Sequence, residues 1–194
     1  MLGRSFRTSL HCLAHPATLT SVALLLLNDH VLKQAIPSIL TGKLSDLAGL
    51  FFFPFLLAAL LSLVLEWWLR PQPAVIGPAA VGLTGAWFAL AKVSPVVNAW
   101  TGQAASLFLG HPVLILLDAT DLVALVMLWP AWRLWRKESA RSEQAPPRRV
   151  AWVAVAVAVV ATVATSPVHD EMVLRIVNHD NQVYALTKFV ALAA

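Results

Sequence analysis

From residue 47 to residue 69 the chain runs through Leu, Phe, Ala and Val with a single charge, Glu66. As a helix this run is about 35 Å long, enough to cross a hydrocarbon core of roughly 30 Å. A soluble domain can bury only one face of such a helix, whereas lipid solvates every face. Composition points the same way, because 59% of the 194 residues are hydrophobic and only 12% are charged. Too little charge is present to cover a soluble surface, so the chain reads as an integral membrane protein with the lipid bilayer as its first partner.

Five stretches are apolar enough to be expected to span: residues 16–36, 47–69, 74–91, 121–135 and 150–165. The expected fold is therefore an all-α membrane protein. Its parts are a cytoplasmic N-terminus (1–15), a four-helix transmembrane core (16–135), a basic linker (136–149) containing Ala145-Pro146-Pro147, a fifth transmembrane helix (150–165) and an extracytoplasmic tail (166–194). In that tail, residues 172–177 and 182–188 are β-prone and flank Asn178-His179-Asp180-Asn181, a turn-forming string that suggests a short hairpin.

The net charge of +4 does not indicate a nucleic-acid binder, because the basic residues collect at span edges. Arg4 and Arg7 precede the first span and Arg70 separates the second from the third. Arg133, Arg136, Lys137, Arg141, Arg148 and Arg149 surround the link to the fifth. With five spans all three groups share a side, and the positive-inside rule makes that side cytoplasmic, with the N-terminus inside and the C-terminus outside. The basic start and apolar run to Leu27 also fit a signal peptide. No small-residue cleavage site precedes the polar residues that follow, which favours a retained anchor. The lone Cys12 excludes an intramolecular disulfide and a cysteine-built zinc cage.

The first span is the unusual one. Its apolar run, residues 17–27, is too short to cross unless Asn28, Asp29, His30 and Lys33 lie at membrane depth. Ionisable groups there are costly and mark a candidate functional site, although an Asp29–Lys33 pair one helical turn apart would equally serve as structural glue. In the expected topology two outward loops carry the remaining polar residues. The first holds Thr41, Lys43, Ser45 and Asp46, and the second holds Lys92, Ser94, Asn98, His111, Asp118, Thr120 and Asp121.

Each loop ends in a similar string, Ser45-Asp46-Leu47-Ala48-Gly49-Leu50 and Thr120-Asp121-Leu122-Val123-Ala124-Leu125, followed by Pro54 or Pro130. The match suggests a weak repeat of a helix-loop-helix unit whose outer ends converge. Capping is the competing account, since Ser or Thr followed by Asp suits a helix start. For Asp121 a length mismatch adds pressure: residues 122–135 make about 21 Å of helix, so either the bilayer thins or Asp121 is submerged. Residues 104–117 are apolar but too short to span, and His111-Pro112 breaks them, which suggests a re-entrant or interfacial piece.

Four strings, Leu27-Asn28-Asp29-His30-Val31-Leu32-Lys33, residues 41–50 (Thr-Gly-Lys-Leu-Ser-Asp-Leu-Ala-Gly-Leu), Lys92-Val93-Ser94-Pro95 and residues 118–125, resemble the motifs of an uncharacterised family of bacterial multi-pass inner-membrane proteins. The resemblance covers residues 17–135 and implies an inner-membrane location and polar motifs that belong together. It implies no activity.

The expected site therefore comprises Asn28, Asp29, His30, Lys33, Lys43, Asp46, Lys92, Asp118 and Asp121. Three functions compete for it. Asp29, His30, Asp46, Asp118 and Asp121 could hold a divalent metal, the one cofactor suggested, in a hydrolase of a lipid or envelope substrate. Asp29, His30 and Lys33 could form a proton or ion relay in a transporter, with Pro54 and Pro130 as helix breaks. Or the outer loops and tail could dock a membrane or periplasmic protein partner, with the polar groups acting as glue.

Overall fold

The computed structural model describes residues 3–32, 35, 39–66, 72–109, 115, 117–141, 152, 155–156, 159, 175–177 and 183–185. Lys33 and His111, most of the expected fifth span and most of the tail lie outside the described residues. What is described is almost entirely helical. Only Arg175–Val177 and Val183–Ala185 form strands, paired antiparallel with Ile176 opposite Tyr184.

Residues 1–15, expected as an N-terminal tail, contain helix α1 (Arg4–Ala14). Phe6, Leu10 and Leu13 fall at helical spacing and are buried, and Ser5, Thr8, Ser9 and Cys12 are buried with them. Small side chains let this helix approach its neighbours closely. Their hydroxyls also find acceptors on the helix itself, Thr8 Oγ1 donating to the Arg4 carbonyl and Ser9 Oγ to the Ser5 carbonyl, each at 3.0 Å. Pro16 ends α1, because the residue before a proline is pushed out of the helical region and His15 is accordingly extended (φ −67°, ψ 138°). Helix α2 (Pro16–Leu27) restarts at once, and the two segments meet at a 58° bend. Thr18 Oγ1 closes the corner by donating to the Cys12 carbonyl at 2.6 Å.

Helix α3 (Ile39–Glu66) is the hub, packed on α1, on α2 and on three of the four helical segments that follow it, the exception being Pro95–Leu109. It begins well before the expected span at residue 47. Helix α4 (Pro73–Val93) matches its expected span closely, bounded by Pro73 at one end and Ser94-Pro95 at the other. Of the two, α3 is the more deeply buried in protein, so α3 is central and α4 is peripheral. Phe52 and Phe55 of α3 pack with Val22 and Leu25 of α2, Ile76 and Ala80 of α4, and the buried stripe of α1 to make the core.

Helix α5 (Pro95–Leu109) replaces what the sequence suggested was the start of an irregular loop. Ser94 accounts for the difference: it ends α4, its Oγ accepts from Val97 N, and Pro95 occupies the first position of the next helix. A 3-10 segment (Ala119–Met127) then leads into helix α6 (Leu128–Arg141). The change of helix type falls beside Pro130, whose missing N–H removes one bond from the first turn of α6. The extended rise of a 3-10 helix, about 2.0 Å per residue, also lengthens the short stretch after Asp121.

Helices α3 and α4 are each long and apolar enough to cross a membrane, and α1 with the chain through Leu32 makes a third if the bent pair is one span. The expected fourth span is divided between the 3-10 segment and α6.

Candidate functional site

The polar residues gather at one end of the helices, around the first turns of α3. The chain after α2 does not continue as an α-helix but widens into a π-helical turn, Asn28–Leu32. Such turns recur at functional sites. Here the widening places Asn28 (0% exposed) and Asp29 (1% exposed) both inward, while His30 and Val31 face out. Asn28 Nδ2 donates to the Thr41 carbonyl at 2.6 Å and to Ser45 Oγ at 2.7 Å. Ser45 Oγ in turn donates to Asp29 Oδ1 at 2.6 Å. The expectation that Ser45 caps a helix is therefore corrected. It sits inside α3, and its hydroxyl ties α3 to the π turn.

On its other side the same stretch of α3 presents charge. Lys92, at the last turn of α4, donates to Asp121 Oδ2 at 2.6 Å and sits 3.0 Å from Asp46 Oδ2. Lys43 donates to Asp121 Oδ1 at 2.9 Å and to Thr120 Oγ1 at 2.6 Å. The result is an alternating chain, Asp46–Lys92–Asp121–Lys43, with two acids and two bases. The side chains of Lys92 and Asp121 are each 10% exposed, while Lys43 and Asp46 form a partly open rim at 21% and 23%. Phe88 adds an aromatic face 5.5 Å from Lys92 Nζ. The two similar strings of the sequence thus meet through one lysine, since Asp46 and Asp121 share Lys92.

The capping role expected of Thr120 belongs to Asp118. Asp118 is the N-cap of the 3-10 segment, its Oδ1 accepting from Thr120 N at 2.8 Å. Hydrogen bonds from the Thr120 hydroxyl and then its amide hold the Asp118 carboxyl below the usual carboxylate range. Asp121 is buried in protein, and its two lysine partners make that burial tolerable.

Of the expected residues, Asn28 and Asp29 join one cluster and Lys43, Asp46, Lys92 and Asp121 the other, while His30 and Asp118 lie at the exposed edge. Among the described residues no three His, Cys, Asp or Glu side chains are placed to share a metal ion. The carboxylates that were candidates for one face ammonium groups, a serine hydroxyl or a helix cap instead. Sequence reasoning missed Ser45 and Thr120 as partners rather than caps. For Ser45 a signal was present in its place between Lys43 and Asp46 on one helix, whereas Thr120 lies 77 positions from its partner Lys43 and carried none.

Fold and site together define a helical membrane protein whose polar residues form a paired Asp/Lys network at one end of its helices. No family model matches the chain, and no curated protein or solved structure matches it.

Proposed function

We propose that the chain is a multi-pass protein of the bacterial inner membrane with its N-terminus in the cytoplasm, and that it works as a binding or assembly subunit. In this reading the Asp/Lys network is an extracytoplasmic clamp. It fixes the outer ends of the helices, so that the edge around His30, Asp118 and Thr120 presents a docking surface to a membrane or periplasmic protein.

The carrying observation is the complete mutual pairing of Lys43, Asp46, Lys92 and Asp121. A hydrolytic centre built on Asp46 and Asp121 would need a cation to displace the Lys92 ammonium that already joins them. A transport relay would need polar groups leading on through the bundle. Most buried hydroxyls deeper in the helices donate instead to backbone carbonyls, as Ser21 Oγ does to Ala48 O and Thr84 Oγ1 to Ala80 O, each at 2.8 Å, and Ser62 Oγ stands alone among those described, buried with no partner. A transporter remains the second reading on one observation, that Asp121 bonds two lysines through separate oxygens, so protonation there would re-partner both.

The experiment is to purify the full chain and its Asp121→Asn variant and to measure unfolding, bound metal and proton flux in proteoliposomes. The clamp predicts a less stable variant with unchanged flux and no stoichiometric metal in either protein. Flux that falls in Asp121→Asn selects the transporter. Stoichiometric metal lost on Asp46→Ala with Asp121→Ala selects the hydrolase.

A further inference from the structure

The opposite end of the bundle carries a different kind of site. Helix α4 separates the two ends by its 21 residues, about 30 Å. Where α4 begins, it packs with α1 and α6 around a cleft of 490 Å³ whose lining includes Arg4, Gln72, Trp132, Trp135 and Arg136. That volume falls within the range of ligand-binding pockets, about 300 to 1,000 Å³, and is far more than a bare oxyanion fills.

The lining is built rather than accidental. Trp132, Trp135, Arg136 and Ser139 lie at i, i+3, i+4 and i+7, on one face of α6. Trp135 is 2% exposed, with its Nε1 donating to the Pro73 carbonyl at 3.1 Å. Its indole lies against Gly77, where any Cβ would overlap the ring. One wall of the cleft is thereby fixed. Arg4 Nη2 donates to the Ser139 carbonyl at 3.3 Å, which holds its guanidinium between α1 and α6. Neither Arg4 nor Arg136 has a carboxylate partner among the described residues. The first turn of α4 adds the positive end of a helix dipole, with no side-chain cap on Gln72.

We infer that this cleft binds the phosphate of an acidic phospholipid, with Arg4 and Arg136 on the phosphate oxygens and Trp132 against the glycerol and the first acyl carbons, the buried Trp135 fixing the wall behind it. Guanidiniums suit phosphate, neither Arg4 nor Arg136 is held by a carboxylate among the described residues, and indoles sit where head group meets hydrocarbon. The volume and the apolar wall favour an amphiphile over a free anion. Basic pockets between transmembrane helices are a known form of head-group site. The inference rests on reading the chain as membrane-spanning. It does not depend on the clamp at the other end, and its test uses different residues.

The test is retention of lipid by the full chain, released from nanodiscs of phosphatidylcholine with an equal share of phosphatidylglycerol and read by native mass spectrometry. The site predicts preferential retention of phosphatidylglycerol. That preference should fall about fivefold in Arg136→Gln and about thirtyfold when Arg4→Gln is added, at roughly one such factor per basic residue. Arg133→Gln removes the same charge from the same helix outside the cleft and should change it less than about twofold. If the double variant does not fold, Arg136→Gln against Arg133→Gln decides alone. Saturable binding of inorganic phosphate that needs both arginines, with no lipid preference, would keep the phosphate chemistry and overturn the lipid as its source. Equal retention of both lipids without phosphate binding, or an equal loss in Arg133→Gln, overturns the site.

Discussion

The two ends of the bundle handle charge in opposite ways. At the network end, two lysines and two aspartates from α3, α4 and the 3-10 segment neutralise one another at 2.6 to 3.0 Å. At the cleft end, two arginines line a cavity that has no acid among its described lining residues. A set of charges that closes on itself has its interaction energy invested in holding helices together. A set left open keeps that energy for something that arrives. In the readings proposed above the contrast gives structure to one end and recognition to the other, and four variants can break it or sharpen it.

The largest effect is expected from Lys92→Met. It leaves Asp46 and Asp121 adjacent with their shared cation gone, and breaking a buried pair in this way costs about 3 to 5 kcal/mol. Denaturant unfolding in mixed micelles should show that loss, and a cost below about 1 kcal/mol would mean the network holds little. Next is Gly77→Ala at the other end. The new Cβ must push the Trp135 ring aside, for about 2 kcal/mol of overpacking. Because the indole is a wall of the cleft, the preference for acidic lipid should fall with it, and an unchanged preference would detach Trp135 from the site.

Ser45→Ala is third, at about 1 kcal/mol, since it removes the hydroxyl that links Asn28 to Asp29 across α3 and the π turn. Amide exchange at residues 28–32 should rise locally, and no change there would leave the π turn standing without its tie. The smallest stability effect belongs to Arg4→Gln with Arg136→Gln, within about 0.5 kcal/mol. A large destabilisation by this pair would remove the contrast, because the cleft end would then be structural too.

How far the sequence revealed these ends depends on the physics of each element. Helix α4 was legible because an apolar run lies between Pro73 and Ser94-Pro95, all strong punctuation. The first turns of α3 were not, because Thr41, Gly42, Lys43, Ser45 and Asp46 read as a loop when taken alone. They are helical with Lys43, Ser45 and Asp46 each meeting a partner that is distant in sequence. Helix α1 was hidden by its own chemistry: its buried face mixes Phe6, Leu10 and Leu13 with Ser5, Thr8 and Ser9, which hydropathy averages away. The residues of the network were recoverable from the cost of charge at membrane depth, and their common end from where lysine and arginine collect. The pairings were not recoverable, since Lys92 lies 29 positions from Asp121 and Lys43 lies 78 from it. Nor was the cleft, because Arg4 and Arg136 each read as an ordinary topology signal.

The most direct test of the account is a double-mutant cycle between Lys92→Met and Asp121→Asn, with unfolding measured in bicelles. A closed network predicts a coupling of at least about 1.5 kcal/mol, with the double variant more stable than the sum of the single losses implies. Additive losses, with coupling below about 0.5 kcal/mol, would contradict the claim that these charges hold the helices through one another.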